Sequence, residues 1–143
     1  MLTNSKIINM LHKQVKIRVR YGETDAMGVV YYGNYPLYLE QGRTEWLRDM
    51  GFSYRELEDS GIMLPVVQLK IDYKASAKYD DEIQVTTALK ELPTAKITFT
   101  YKIHNQKGQL LCKAETSLVF IDKETGKIRR APQYLIDAIN GLI

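Results

Sequence analysis

One carboxylate, Asp25, sits in the run Y-G-E-T-D-A-M-G-V-V-Y-Y-G-N-Y-P-L-Y at 21–38, shortly before a helix start at Asn34-Tyr35-Pro36. A carboxylate beside a helix N-terminus can attack a carbonyl carbon, or activate water against it, while the helix polarises the carbonyl oxygen. The first-turn N–H groups of a helix lack intrahelical partners and carry a partial positive charge. An oxyanion forming there gains more than the ground-state carbonyl does. This is acyl-transfer chemistry without serine, histidine or metal.

A lone aspartate in a T-D-A-M-G loop also serves simply as a turn former or amide cap. Three features favour the chemical role. Gly28 permits a tight turn or close backbone approach to a ligand. Val29, Val30, Tyr31 and Tyr32 are too bulky and apolar for an ordinary solvent loop and could wall a pocket. The helix then follows at once. Competing chemistries find little support. His12 and His104 are the only histidines, which disfavours a Ser-His-Asp triad. No Cys/His spacing suggests zinc, and neither a G-x-S-x-G nor a P-loop pattern occurs. Cys112, the one cysteine, falls in a strand and reads as a buried, inert thiol.

The elements that must position Asp25 are legible from periodicity. Val15, Ile17 and Val19 alternate with basic residues, which predicts a half-buried strand after a loosely held lead-in over 1–12. Tyr35 to Met50 predicts a helix with Asn34 as N-cap, Pro36 in the first turn and Gly51 just past its end. Tyr35, Leu39, Gly42, Trp46 and Met50 share one face, and Gly42 marks a close approach to a neighbouring element. Ser53 and Glu56 predict a short second helix ending near Gly61. Period-two runs follow at 67–73, 83–89 and 97–103. A last strand at about 110–121, apolar on both faces in places, is expected to be central. Pro132 opens a C-terminal helix with Tyr134, Leu135 and Ile139 as its apolar face. The expected fold is α+β in a single domain, with a sheet wrapped round the long helix. Its open edges call for oligomerisation.

Composition narrows the class further. The chain has 143 residues, 45% hydrophobic, enough for one domain with a sizeable core. A net charge of +3 spread along the chain is no nucleic-acid footprint. A single cysteine allows no intrachain disulfide and suits a reducing compartment. Met1 to Met10 holds no signal-length apolar run, and no segment is long and apolar enough to span a membrane. A cytoplasmic location is expected.

The segment Y-G-E-T-D-A-M-G-V-V-Y-Y-G-N-Y resembles the signature of the hot-dog-fold acyl-coenzyme A (CoA) thioesterases, in particular the 4-hydroxybenzoyl-CoA thioesterase-like group. The resemblance runs from about Val15 to Pro132. It includes R-T-E-W-L-R at 43–48, D-Y-K-A-S-A-K-Y-D-D at 72–81 and D-K-E-T-G-K-I-R-R-A-P at 122–132. It implies that Asp25 is the catalytic carboxylate and that the Tyr32 backbone N–H holds the thioester oxygen at a site on a dimer interface. Some relatives carry histidine where this chain has Tyr32, so a mechanism using that histidine does not operate here.

The resemblance also matches Glu40 to a position that contacts the acyl group in some relatives, although a helical glutamate equally serves as solvated surface. Gly28, Val29, Tyr31 and Tyr35 are candidate acyl-site residues. Lys127, Arg129 and Arg130 are candidate holders of the CoA phosphates, with solvated surface as the alternative. The expected enzyme hydrolyses acyl-CoA to free acid and CoA, needs no metal or resident cofactor, and forms a homodimer or homotetramer. Two rivals remain: an acyl-carrier-protein thioesterase, and a non-catalytic hot-dog module binding an acyl ligand or a protein.

Overall fold

The computed structural model describes residues 11–142. In chain order the elements are β1 (His12–Arg18), α1 (Tyr35–Asp49), α2 (Tyr54–Asp59), β2 (Ile62–Met63), β3 (Val66–Tyr73), β4 (Glu82–Leu89), β5 (Lys96–His104), β6 (Leu110–Val119), β7 (Ile121–Asp122) and α3 (Gln133–Asn140). Five strands form one antiparallel sheet in the order β1-β4-β5-β6-β3. The short β2 and β7 pair separately, a feature that two-residue strands give no periodicity to announce. Strand, long helix and then antiparallel strands is the α+β hot-dog arrangement that the resemblance implies.

The expected lead-in lies outside the described residues except for Leu11 and His12. His12 already opens β1, earlier than the alternation at Val15 suggests. β6 is an interior strand as expected, but β5 holds the middle of the sheet.

α1 packs on β1 and β4. Its buried face is Tyr35, Tyr38, Leu39, Gly42, Arg43, Trp46 and Leu47. That face is wider than the expected stripe, and Met50 is only half-buried. Arg43 is tolerated inside because its Nε donates to the Tyr54 hydroxyl at 2.9 Å. Trp46 meets Phe99 edge to face, and its indole N–H donates to the Leu11 carbonyl at 3.1 Å. In α3, Leu135 and Ile139 are buried. Tyr134 is exposed instead, with its ring against Phe52.

The helix boundaries have local causes. Gly51 takes φ +91 just past α1, a backbone state that suits glycine. The Ser53 side chain accepts the Glu56 N–H at 3.1 Å and starts α2. Asn34 precedes α1 but does not cap it. Its Nδ2 reaches back instead to the Glu23 carbonyl at 2.9 Å.

β3 differs from the other long strands. It lies at a sheet edge, and every residue except Ile71 is exposed, including Val66, Val67, Leu69 and Tyr73. An edge of this length with such side chains has unspent backbone hydrogen bonds and apolar surface together.

Candidate functional site

The Asp25 loop is a tight hairpin. Asp25 N–H donates to the Val29 carbonyl at 2.8 Å, Gly28 N–H to the Asp25 carbonyl at 3.0 Å, and Tyr31 N–H to the Glu23 carbonyl at 3.0 Å. Gly28 sits at φ +79, so the turn itself selects glycine. The arm carrying Val29 and Val30 is pinned to the chain after β3. Val30 N–H donates to the Ala77 carbonyl at 2.9 Å, and Ala77 N–H donates to the Tyr35 hydroxyl at 3.1 Å. A single 3-10 turn at Tyr32–Asn34 then leads into α1.

Asp25 and Tyr32 therefore stand on opposite arms of one hairpin, next to the N-terminus of the long helix. Asp25 Oδ1 accepts the Met27 N–H at 2.8 Å. The side chain is otherwise exposed, and Oδ2 has no partner among the described residues. The Tyr32 N–H likewise donates to no group among the described residues. Beside Asp25, Met27 is 85% and Tyr32 65% exposed.

A cavity of about 260 Å³ opens beside Tyr32, lined by Val30, Tyr32, Tyr35, Tyr73, Lys74, Ala75 and Ser76. The Tyr73 hydroxyl donates to the Tyr32 carbonyl at 2.9 Å, and the Tyr73 ring lies edge to face against both Tyr32 and Tyr35. Tyr32 and Tyr35 are thus brought together as expected of candidate site residues. Asp25, Gly28, Val29 and Tyr31 do not line this cavity. The Tyr31 ring is tilted over Tyr32, 4.7 Å between centroids. Glu40 is elsewhere: it faces a groove between β1 and α1 with Lys13, Lys16 and Arg48.

Lys127, Arg129 and Arg130 are exposed and far from Asp25 within one chain. Their segment is tied to the end of β6 by Arg129 N–H on the Phe120 carbonyl at 2.8 Å. The chain after β3, which carries Val30, is tied to the opposite end by Lys74 N–H on the Leu111 carbonyl at 2.8 Å. The ten residues of β6 lie between these ends, roughly 30 Å at about 3.3 Å per residue.

Sequence reasoning passed over Tyr73, Ser76 and Glu23. Alternation places Tyr73 on a strand, but only the β3–β6 pairing brings it beside Tyr32. Glu23 reads as one more loop acid. In the structure its carboxylate accepts the Arg20 backbone N–H at 2.8 Å and the Tyr38 hydroxyl at 2.9 Å.

Electrostatics set these groups apart. Burial would raise the Glu23 carboxyl, but the Arg20 amide, the Tyr38 hydroxyl and the Arg20 guanidinium outweigh it and hold it below 4.5. Burial and the Glu23 contact push the Tyr38 phenol well up. Burial also pushes the Cys112 thiol up to about 11, which leaves it protonated and unreactive at neutral pH. Among the described residues no three His, Cys, Asp or Glu side chains converge as metal ligands would.

The sign of the Glu23 shift has a consequence. A lowered folded-state pKa means that the unfolded chain binds more protons. Glu23 therefore stabilises the fold above its ordinary pKa, and this contribution is lost as pH falls through the depressed folded value. Urea unfolding of wild type and Glu23→Gln should show a stability gap that is widest above pH 4.5 and closes in stronger acid. A gap that stays constant into acid contradicts the assignment.

Comparison with known proteins bears on the family and the fold. A family model described as the thioesterase-like superfamily matches residues 19–139. A Bacillus subtilis protein named provisionally as the acyl-CoA thioesterase YneP is 40% identical over 112 residues, 78% of this chain and 81% of that protein. The acyl-CoA thioester hydrolase YbgC of Escherichia coli O6:H1 is 33% identical, covering 84% of this chain and 90% of its own. Among solved structures, a DHNA-CoA thioesterase from Staphylococcus aureus superposes with a TM-score of 0.85 at 34% identity, covering 92% of this chain and 90% of that one.

Proposed function

The chain belongs to the thioesterase-like superfamily and is an acyl-CoA thioesterase, and from that premise we propose that Asp25 drives the hydrolysis while the Tyr32 N–H holds the thioester oxygen. One observation carries the assignment. A carboxylate with an uncommitted oxygen and an amide without an acceptor stand on the two arms of one hairpin, ahead of α1.

Two routes fit this geometry. As general base, Asp25 takes a proton from water as the water oxygen bonds to the acyl carbon. The C–S bond then breaks, and the thiolate recovers the proton. As nucleophile, Asp25 itself bonds to the acyl carbon, the CoA thiolate leaves, and water hydrolyses the mixed anhydride. In both, negative charge collects on the carbonyl oxygen facing Tyr32, where a preorganised donor is worth roughly two to three orders of magnitude in rate. The CoA belongs to the substrate, and no resident cofactor enters either route.

A second copy completes the site in this proposal. The exposed β3 edge, with Val66, Val67, Leu69 and Tyr73 along it, is the surface that would take a partner. Antiparallel pairing of two β3 edges sets the Tyr73 end of one copy against the Val66 end of the other. That juxtaposition carries the partner's basic segment, 127–130, towards the Asp25 loop, which a single chain cannot do. Lys127, Arg129 and Arg130 would then hold CoA phosphates across the interface. Alanine at these positions should raise KM by about three- to tenfold with kcat little changed, as for lost uniform binding. A fall in kcat alone, measured with saturating substrate, contradicts this role.

The cavity beside Tyr32 suits the acyl group. Its volume of about 260 Å³ and its three tyrosine rings favour a short or ring-bearing acyl group over a long chain. The deciding experiment is free-thiol release over a graded panel of aliphatic and aromatic acyl-CoA substrates, with matched acyl-carrier-protein thioesters beside them. Release from the CoA series, strongest for small and aromatic groups, is expected. No release from any CoA member overturns the proposal. Faster release from the carrier-protein series transfers it to that carrier.

A further inference from the structure

Glu23 anchors the Asp25 loop without belonging to the cavity beside Tyr32. Its carboxylate accepts the Arg20 backbone N–H, the Arg20 Nε and Nη2 at 3.2 Å each, and the Tyr38 hydroxyl at 2.9 Å. Its backbone carbonyl accepts the Tyr31 N–H at 3.0 Å and Asn34 Nδ2 at 2.9 Å. Tyr38 is buried on α1, and Asn34 immediately precedes that helix. One residue thereby joins three things: the arm that carries Asp25, the arm that leads to Tyr32, and the helix whose N-terminus faces the reacting carbonyl.

We propose that Glu23 is a positioning residue for thioester hydrolysis, its carboxylate setting where the Asp25 carboxylate stands relative to the Tyr32 N–H by tying the Asp25 arm to Tyr38 on α1. Its backbone carbonyl, which every Glu23 variant retains, holds the other arm. The inference rests on the roles given above to Asp25 and Tyr32. Its physical basis is the sharp dependence of rate on approach geometry. A misplacement of about 1 Å can cost roughly a hundredfold. The loop has little else to fix it on its outer side, since residues 25–28 are exposed. The bonds to the Glu23 carboxylate are charge-assisted, its own side chain is only 12% exposed, and the one from the Tyr38 hydroxyl is partly buried, so that bond is stronger than an ordinary loop contact. Tyr38 supplies the helix end of this tie. A phenylalanine there keeps the ring and removes only the hydroxyl.

The test separates positioning from simple loop stabilisation. Steady-state kinetics on an acyl-CoA that the wild type hydrolyses would be run well below the unfolding transition. The proteins are Glu23→Ala, Glu23→Gln, Tyr38→Phe and the double variant Glu23→Ala/Tyr38→Phe. Glu23→Ala should lower kcat by about ten- to a hundredfold with KM changed less than about twofold. Glu23→Gln keeps an oxygen for the Tyr38 hydroxyl and should recover most of that loss. The double variant should be no slower than Glu23→Ala, because the two residues act as one unit. A folded Glu23→Ala enzyme with wild-type kcat overturns the proposal. So does a loss confined to KM, or a double variant whose losses multiply. Should Glu23→Ala fail to fold, Tyr38→Phe decides: a kcat reduced by about threefold or more supports positioning, and an unchanged kcat refutes it. Asp25→Asn is assayed in parallel. If that variant turns over normally, the underlying assignment of Asp25 has failed. If it is inactive while Glu23→Ala is not impaired, only the positioning role has failed.

Discussion

Asparagine in place of Asp25 is expected to lower kcat by about two to four orders of magnitude, the usual worth of a general base or nucleophile. The fold should be left intact. Asp25 is exposed, and the one hydrogen bond its side chain accepts, from the Met27 amide, is available equally to an asparagine oxygen. Urea unfolding should therefore agree with wild type within about 0.5 kcal/mol, as for surface substitutions generally. The pairing of lost turnover with kept stability is what marks a chemical role. Parallel loss of both would mean that Asp25 only holds the hairpin, and wild-type turnover would remove it from the mechanism. Single turnover in oxygen-18 water gives a one-way test of the routes. Label entering the Asp25 carboxylate marks attack by the side chain, whereas label confined to the product acid fits water attacking either the thioester or the acyl carbon of the anhydride.

The largest effect on stability expected from a one-carbon change lies at Gly42. Alanine ordinarily improves a helix interior over glycine by about 1 kcal/mol. Here its Cβ would run into the Thr87 hydroxyl and stand 2.9 Å from Val85 Cγ1, both on β4. Those neighbours are fully buried, so they can shift only by disturbing the packing around them. Overpacking of this kind typically costs about 1–3 kcal/mol and outweighs the propensity gain. Gly42→Ala should thus be less stable than wild type by about 1–2 kcal/mol in urea unfolding. Adding Thr87→Ala should return part of the loss, because it removes the nearest obstruction and also a buried hydroxyl that has no hydrogen-bond partner. A single variant as stable as the parent would show that α1 and β4 can separate freely.

Gly42 also shows how far the sequence could be read. A glycine inside a helical stripe announces close packing, and periodicity announces the helix and the long strands. Neither names the strand that is approached, because that depends on the order β1-β4-β5-β6-β3. Arg43 breaks the apolar stripe on paper and is nonetheless buried, since the hydroxyl that takes its Nε comes from Tyr54 in another element. The same limit governs the site. Asp25, Gly28 and the helix start are neighbours in sequence, so their placement together was legible. Tyr73 reaches Tyr32 through strand pairing, and Glu23 reaches Tyr38 on α1 through the fold of the hairpin, so neither contact had a local signal. The basic residues at 127–130 formed a recognisable cluster, yet sequence could not reveal that β6 separates them from Asp25 within one chain.

The uncovered β3 edge bears on how this protein must be handled as well as on how it works. Val66, Val67, Leu69 and Tyr73 leave apolar side chains along an outer strand edge that Lys70 and Asp72 only interrupt, and such edges are prone to pair with other strands. During refolding from denaturant such an edge favours non-native strand pairing between chains, so yield should rise when the protein is refolded at low concentration. A second lysine, or a proline, in place of Val67 or Leu69 should reduce the loss to such pairing.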